Sequence, residues 1–270
     1  MCILAIQYKT VRDAPILVAH NREERLDRPS QPPRIQPGKP RVVCGTDRKA
    51  GGTWFGVNQF GLVIAALNRA TPFVPHEPRS RGLLCRDLLG AKFADEAAER
   101  AAEELESGRY AGVNLLCVDN RCGRVVYGGS RVQVVELTAG LHLLSNGNLD
   151  DHHDPRQEFI RRQLTLQKLD SAVTFLAVAS RAFSRKPDAF GRRGVVISNN
   201  GYGTVGSTLL CLANKTSSSI YQYAPGPPSE VAYEDYSALL RQVLSTDRER
   251  RTAEKDKDKA SASGKAKAAK

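Results

Sequence analysis

Short β-prone segments follow one another in pairs along this chain, and this pairing restricts the fold more than any other feature of the sequence. The paired segments are residues 2–8 with 16–19, 51–57 with 61–67, 113–118 with 124–127, 132–137 with 141–144, and 207–212 with 219–223. Strands joined by a short turn run antiparallel, whereas neighbouring parallel strands need a long crossover, usually a helix. The sequence therefore predicts sheets that are largely antiparallel.

Helical composition is confined to a few longer segments, most of them in the middle of the chain. They cover residues 80–89, 94–106, 154–166, 172–183 and 230–244. Asp154 and Pro155 are residue types that favour an N-cap and a first helical position. Strands and helices that are grouped in this way are typical of an α+β fold.

Two stretches rich in proline or glycine are expected to lie outside regular elements. Residues 28–40 contain five prolines and are expected to be irregular. Residues 201–206 satisfy the G-x-G-x-x-G pattern of dinucleotide sites. The next six residues are β-prone rather than helical, so no helix N-terminus would receive a pyrophosphate. We expect a glycine-rich turn that follows a short strand at 195–197.

Length and composition are those of one globular domain with a polar tail. The chain has 270 residues, of which 41% are hydrophobic and 26% charged, so residues 1–246 suffice for a substantial core. Residues 247–270 form a low-complexity run rich in Lys, Ala and Asp, where we expect a disordered tail. The first apolar run has four residues and no basic flank, so we expect no signal peptide, no membrane span and a cytoplasmic location.

Charge and cysteine usage exclude several classes of function. The net charge is +11, but no stripe of basic residues is interleaved with aromatic residues, which argues against a nucleic-acid partner. No C-x-x-C or H-x-x-x-H spacing occurs, so we expect no metal site and free thiols. The cysteines are Cys2, Cys44, Cys85, Cys117, Cys122 and Cys211. The oligomeric state stays open.

Cys2 directly follows the initiator methionine, and this position has a chemical consequence. If Met1 is removed, Cys2 carries both a thiol and a free α-amine. Their ordinary pKa values, about 8.5 and about 7.7–8.0, are close enough for the amine to act as the base that activates the thiol. The alternative is that Cys2 is a small apolar residue at the start of an edge strand.

Polar residues at the ends of apolar runs are the candidate partners of Cys2. The segment 20–23, Asn68 and Asn146 each follow an apolar run. One edge of a sheet could gather these side chains. Taken alone, each of them is also explained as a turn or cap residue.

Several short motifs, in order along the chain, together resemble one protein family. They are Met1-Cys2-Ile3-Leu4, Asn21-Arg22-Glu23-Glu24 with Arg28-Pro29, residues 51–56 (Gly-Gly-Thr-Trp-Phe-Gly), Ser80-Arg81-Gly82, Leu144-Ser145-Asn146, and residues 202–208 (Tyr-Gly-Thr-Val-Gly-Ser-Thr). This combination resembles the transport and Golgi organization 2 family, also called the NRDE family, over about residues 1–245. The resemblance implies a four-layer αββα sandwich of two mainly antiparallel sheets, the fold of the N-terminal nucleophile (Ntn) hydrolases.

The resemblance also implies roles for individual residues, because the choloylglycine hydrolase and penicillin V acylase group cleaves amide bonds with an N-terminal cysteine. The catalytic residues implied are Cys2 as nucleophile, Glu23 as the carboxylate near the amine, and Asn68 and Asn146 as active-site amides. Glu23 stands where the motif has Asp, so its carboxylate is one methylene further from the backbone.

Four more residues are expected to bind substrate: His20, Asn21, Arg22 and Thr208. His20 stands where the acylase group has an arginine, and Thr208 falls near a late catalytic arginine of that group. Arg22 could supply a positive charge in place of the missing arginines.

Two functions follow from these residues. The first is hydrolysis of an amide or thioester bond of a small acyl compound, with no cofactor required. The second is a non-catalytic carrier that uses the same pocket for haem or for a lipid or acyl-CoA, since relatives are linked to haem trafficking and lipid metabolism. A Cys or His side chain could contact haem iron.

Overall fold

Two seven-stranded antiparallel sheets form the centre of the molecule. The computed structural model describes residues 2–72, 74–189 and 194–245. The strands of the first sheet are β1 (Ile3–Tyr8), β2 (Ile16–Arg25), β10 (Gly140–Leu144), β11 (Ser198–Asn199), β12 (Tyr202–Leu212), β13 (Ile220–Ala224) and β14 (Glu234–Asp235). Their order is β10-β1-β2-β12-β13-β14, and β11 pairs with β12.

The second sheet is a meander whose strands lie side by side in chain order. Its strands are β3 (Ser30–Gln36), β4 (Val42–Asp47), β5 (Phe55–Asn58), β6 (Val63–Asn68), β7 (Val113–Val118), β8 (Gly123–Gly128) and β9 (Gln133–Glu136). Each strand pairs antiparallel with the next, and the pairs β5–β6 and β7–β8 are those that the sequence predicts. The predicted pairing of residues 132–137 with 141–144 is wrong, because β9 ends this sheet whereas β10 pairs with β1 in the other.

Helices cover the outer face of each sheet. Helices α1 (Arg81–Leu88) and α2 (Ala94–Glu106) share a buried cluster with the second sheet, and α3 (Pro155–Thr165) and α4 (Ala172–Phe183) share one with the first. A third cluster lies between the sheets, and α5 (Ser237–Leu244) adds to it. The chain therefore forms the predicted four-layer αββα sandwich of the Ntn-hydrolase type.

Strand β1 shows how the apolar sequence at the chain start builds two of these clusters. Successive side chains of a strand point to opposite faces. Leu4 and Ile6 belong to the cluster between the sheets, whereas Ile3 and Ala5 belong to the cluster under α3 and α4. An apolar run is required at β1 because both of its faces are buried.

The proline-rich segment was expected to be irregular, and this expectation is wrong for Ser30–Gln36, which is strand β3. Proline removes one backbone donor and is tolerated at a sheet edge or a bulge. Strand β3 is the edge of the second sheet, and its pairing with β4 shifts register between Gln31 and Arg34, where Pro32 and Pro33 lie. Strand β4, which follows, was not predicted.

The end of the chain also differs from its prediction. The closing helix covers only Ser237–Leu244, because Glu234–Asp235 pairs with β13. The expected strand at 195–197 is irregular, and the expected glycine-rich turn is confined to residues before Tyr202, where β12 begins. Helix α2 has the predicted bounds. The predicted tail at 247–270 lies outside the described residues.

Two further observations concern the described part of the chain. No helix there is both long and apolar enough to cross a membrane. All six cysteines are free thiols, as the sequence predicts, and five of them are buried.

Candidate active site

The segment that sequence patterns suggest as a polar turn lies inside strand β2, and its side chains alternate between two environments. His20 stacks on Phe55 and Arg22 on Trp54, so both point towards the second sheet. Glu23 binds Arg156 on the opposite, helical side of the strand. The residues of this segment are 0–4% exposed. The motif therefore places its positive and negative charges on opposite faces of one buried strand.

Cys2 lies directly beside this motif because of the register of the first two strands. Ile3 pairs with Asn21, so Cys2 comes next to the following residues of β2. The Glu23 backbone N–H donates to Cys2 Sγ at 3.4 Å, and Sγ donates to the Glu23 carbonyl oxygen at 3.7 Å. Burial, reinforced by the Glu23 charge, raises the pKa of the Cys2 thiol. The thiol is therefore held in place and protonated.

The Glu23 carboxylate is buried and held by residues from distant parts of the chain. Arg156 Nη2, at the first turn of α3, donates to Oε1 at 2.8 Å, and Thr204 Oγ1 donates to the same oxygen at 3.4 Å. Burial raises the pKa of Glu23 to about 7, although the Arg156 charge opposes this shift. The carboxylate thus changes its charge near neutral pH.

A cleft of about 330 Å³ opens beside Cys2 between the two sheets and the start of α1. Four predicted site residues line it together, namely Cys2, Arg22, Glu23 and Asn68. Asn68 is the last residue of β6, where it pairs with Val113. The structure thus brings the predicted nucleophile, Arg22 and one amide to a common cavity, while the Glu23 carboxylate is fully buried against Arg156 behind it.

Arginine is the most frequent charged residue in the lining of this cleft. The lining includes four arginines, which are Arg22, Arg28, Arg79 and Arg81, and three acidic residues, which are Glu23, Glu24 and Asp47. Arg28 is bound by Asp47 in a two-point ion pair, with Nε–Oδ1 at 3.2 Å and Nη2–Oδ2 at 2.6 Å. Arg79 is bound by Glu104 at 3.0 Å.

One wall of the cleft depends on a close contact between two glycines. The Thr53 backbone N–H donates to the Gly82 carbonyl oxygen at 2.9 Å. A Cβ atom on Gly52 would lie 2.2 Å from the Gly82 carbonyl carbon, so only glycine permits this approach. The contact fixes the first turn of α1, and with it Arg81, against the loop that carries Trp54.

The other four predicted site residues do not line the cleft. Asn21 Nδ2 donates to the Phe183 carbonyl oxygen at 3.0 Å, on the helical side of the first sheet. Thr208 pairs with His20 across β12 and β2, deeper between the sheets. Burial, with a contribution from Arg22, lowers the pKa of His20 to about 3, so His20 is neutral. The backbone carbonyl oxygen of Asn146 accepts a bond from the Ala70 backbone N–H at 3.1 Å.

Two arginines with direct contacts to the site were missed by reasoning from sequence. Arg156 is 133 positions from its partner Glu23, and no local pattern signals such a pairing. Arg81 belongs to the motif Ser80-Arg81-Gly82, which was recognised in the sequence, but no role was assigned to Arg81. No cluster of three or more metal-ligating side chains occurs in the described ranges.

Comparison of the sequence with known families gives one match that covers most of the chain. The family model described as "Transport and Golgi organisation 2" matches residues 1–222. The Mus musculus protein described as "Transport and Golgi organization 2 homolog" is 29% identical to this chain over 143 residues, which are 50% of this chain and 51% of the mouse protein. The Bos taurus homologue has the same identity and coverage. The chain thus spans about half the length of the curated relatives it matches.

Comparison with solved structures supports the fold independently. The Caenorhabditis elegans orthologue of N-acylethanolamine-hydrolyzing acid amidase superimposes with a TM-score of 0.53. The match covers 77% of this chain and 92% of the amidase chain, at 13% sequence identity. At this identity the likeness establishes the fold alone.

Proposed function

Since the chain belongs to the Transport and Golgi organisation 2 family and has an Ntn-hydrolase-like fold, we propose that it hydrolyses an amide or thioester bond of a small acyl compound. Cys2 is the nucleophile. The observation that carries the proposal is the convergence of Cys2, Glu23 and Asn68 on one small cleft. The amidase with the similar fold cleaves an amide, as its name states, and this agrees with the proposed reaction class.

The proposed reaction uses the two ends of one residue. Once Met1 is removed, the Cys2 thiol passes its proton to the Cys2 α-amine, and the thiolate attacks the substrate carbonyl carbon. The tetrahedral intermediate collapses when the bond to the leaving amine or thiol breaks, and the α-ammonium returns the proton to that group. Water then attacks the thioester on Cys2 while the amine takes a proton from it. The C–S bond breaks, the free acid leaves, and the α-ammonium returns its proton to the Cys2 thiolate.

Two neighbours of Cys2 have defined roles in this scheme. The Asn68 side chain donates to the oxyanion, and one such donor typically contributes about 3–4 kcal/mol to transition-state stabilisation. Glu23 attracts the α-ammonium and so holds it beside the thiol. The buried thiol resists ionisation, and the proton transfer to the amine is therefore the step that the site must promote.

A second function, transport of haem or of an acyl lipid without catalysis, is favoured by one observation. Burial raises the pKa of the Cys2 thiol, and a protonated thiol is a poor nucleophile. Within the described lining of the cleft, Cys2 is the one residue of a type that binds haem iron, because His20 lies elsewhere against Phe55. Iron is bound by the thiolate, so the protonated thiol favours an acyl lipid over haem as the cargo. For either function the ligand is a small acyl or hydrophobic compound, and we place the protein in the cytoplasm.

Intact-mass spectrometry of the purified protein, before and after reaction with 4-nitrophenyl acetate, tests the hydrolase. We expect a mass that corresponds to loss of Met1, followed by addition of one acetyl group that is later released by water. Cys2→Ala abolishes this labelling. Retention of Met1, or labelling that persists in Cys2→Ala, contradicts the proposal.

Cys122→Ala is the matched control, because Cys122 is the most exposed of the remaining thiols. It should leave the labelling unchanged. An absorption band of a bound pigment in the purified protein, together with an unreactive Cys2, would favour the carrier instead.

A further inference from the structure

We propose that the cleft selects acyl compounds whose acyl chain ends in a single carboxylate, which Arg81 binds and Arg22 attracts. This inference rests on the proposed function, since it names the class of substrate presented to Cys2.

Arg22 provides a positive charge that its surroundings offset only in part. Its guanidinium is stacked on Trp54 at 4.1 Å, and its Nη1 is buried without a hydrogen-bond partner among the described residues. The nearest carboxylate oxygen, Glu24 Oε2, is 3.9 Å from Nη2, beyond hydrogen-bond distance. A charge held in this way beneath the wall of a cleft attracts an anion from within it, because the surrounding protein screens poorly.

Arg81 provides the donors that such an anion would meet. Its Nη1 donates to the Gly112 carbonyl oxygen at 2.9 Å, which anchors one end of the guanidinium. Its Nε and Nη2 make no bond to the described protein, and the side chain is only half-buried at the cleft. These two donors lie along one edge of the guanidinium and match the two oxygens of a carboxylate.

The other charges of the cleft are already paired within the protein. Arg28 is bound by Asp47, Arg79 by Glu104, and Glu23 by Arg156. The lining charges that remain are the two cations Arg22 and Arg81 and the carboxylate of Glu24, which lies 3.9 Å from Arg22 and 3.7 Å from Arg28. One net positive charge is left. This net charge of the cleft lining matches the single negative charge of a carboxylate better than the two negative charges of a phosphate. The volume, about 330 Å³, lies at the small end of ligand pockets, which span roughly 300–1,000 Å³.

The position of the carboxylate on the acyl chain follows from the covalent step. When Cys2 Sγ attacks the carbonyl carbon, a C–S bond forms and the leaving group departs with its electron pair. The acyl chain stays attached to Cys2 within the cleft until water releases it. A carboxylate on this chain is held by Arg81 in both half-reactions, whereas a carboxylate on the leaving group would be lost after the first.

Two matched esters test this selectivity. Mono-4-nitrophenyl glutarate carries the carboxylate, and 4-nitrophenyl valerate has the same number of carbons in a neutral chain. We expect the glutarate ester to acylate Cys2 at least about tenfold faster, as measured by nitrophenolate release and intact mass. Arg81→Gln should reduce this preference about tenfold, and Arg81→Lys should keep part of it. Arg131→Gln, an exposed arginine between β8 and β9, is the control and should keep all of it.

Failure of this inference can be told apart from failure of the proposed function. Equal acylation of Cys2 by the two esters leaves the hydrolase intact and overturns the selectivity. If neither ester reacts, the proposed hydrolase function is contradicted. The selectivity is then tested by binding of glutarate and glutaramide to the full-length Cys2→Ala chain. There, glutarate should raise the melting temperature while glutaramide does not. Equal effects of the two, or a larger effect of inorganic phosphate than of glutarate, would overturn the inference.

Discussion

At the scale of single residues, the Glu23–Arg156 pair determines the charge state of the site. Replacing Arg156 with Gln removes an opposite charge at hydrogen-bond distance, a change that raises a carboxyl pKa by roughly one unit or more. The acid limb of the pH profile of Cys2 acylation should therefore move from near pH 7 to higher pH. Arg156→Lys should move it less. Rates that fall equally at all pH values in Arg156→Gln would indicate a purely structural role.

His20 makes a prediction about acid stability. Its folded-state pKa, about 3, is lower than its ordinary value of about 6.5, so the unfolded chain binds the proton more readily. The stability that depends on neutral His20 is present above pH 6.5 and is lost as pH falls towards 3. Chemical denaturation between pH 4 and pH 7 gives the slope of the free energy of unfolding against pH. This slope, expressed as the number of protons taken up on unfolding, should be smaller by up to one proton in His20→Gln. An unchanged slope would contradict this assignment.

Asn68 makes a kinetic prediction. Loss of one oxyanion donor typically lowers a catalytic rate by about 100- to 1,000-fold. The rate constant for acylation of Cys2 should fall by that order in Asn68→Ala, while the melting temperature changes little because the side chain is half-buried. Asn120→Ala, an exposed turn residue, is the control. A reduction smaller than threefold would remove Asn68 from the mechanism.

The sequence identified which residues of the motif lie at the site, but it did not predict that they are buried or which residues they contact. Cys2, Arg22, Glu23 and Asn68 were expected near one another, and they line one cleft. The segment 20–23 was interpreted as the end of a strand because polar residues are rare in buried strands. In the structure these polar side chains are buried because each of them contacts a residue of another element. Such long-range contacts leave no local pattern in the sequence.

At the scale of elements, the contact between Gly52 and the first turn of α1 determines the shape of the cleft. A Cβ atom on Gly52 would overlap the Gly82 backbone, so Gly52→Ala must displace either the loop or the helix. Overpacking of this kind typically costs about 1–3 kcal/mol. Urea denaturation should show this loss, and acylation of Cys2 should slow because Arg81 moves with α1.

Gly129→Ala is the matched control for that substitution. The nearest atoms to a Cβ on Gly129 lie at 3.6 Å, which is an ordinary contact. The free energy of unfolding should stay within about 0.5 kcal/mol of the original value, as for most surface substitutions. An equal loss in both variants would show that the Gly52 contact has no special importance.

Elements were predictable where one local rule dominates. Helix α2 has a regular pattern of buried alanines and charged residues, and its bounds were predicted correctly. Strand β3 and the short closing helix were not, because proline content and helical composition were outweighed by pairing with neighbouring strands.

At the scale of the whole molecule, the two sheets are joined by polar as well as apolar contacts. Tyr8, the last residue of β1, donates its hydroxyl to the Asp119 carbonyl oxygen, at the turn between β7 and β8, at 3.0 Å. Tyr8→Phe removes this bond and leaves a buried acceptor without its donor. The free energy of unfolding should fall by about 1–3 kcal/mol, measured by urea denaturation.

Tyr223 is the matched comparison, since it is equally buried and its hydroxyl makes no hydrogen bond to the described residues. Tyr223→Phe should therefore leave the free energy of unfolding unchanged or raise it slightly. A loss as large as that of Tyr8→Phe would mean that the bond between the sheets adds nothing.

The overall architecture was predictable because consecutive strands pair in the second sheet. The first sheet was less accessible to such reasoning. It joins β1 and β2 to β10 and β12, which are more than a hundred residues away in the chain. The family resemblance predicted two stacked antiparallel sheets, but it did not assign these segments to one of them, and residues 141–144 were expected to pair with 132–137 instead.

The alternation of side chains along β2 has a consequence for how this protein can change during evolution. Substitutions within segment 20–23 alter one contact at a time. A single-residue insertion or deletion there would instead exchange the two faces of the strand beyond it. Arg22 would then turn towards the helices and Glu23 towards Trp54, so that each charge loses its partner. The spacing of this motif should therefore tolerate less variation than its chemistry, and length changes should accumulate in the loops between strands.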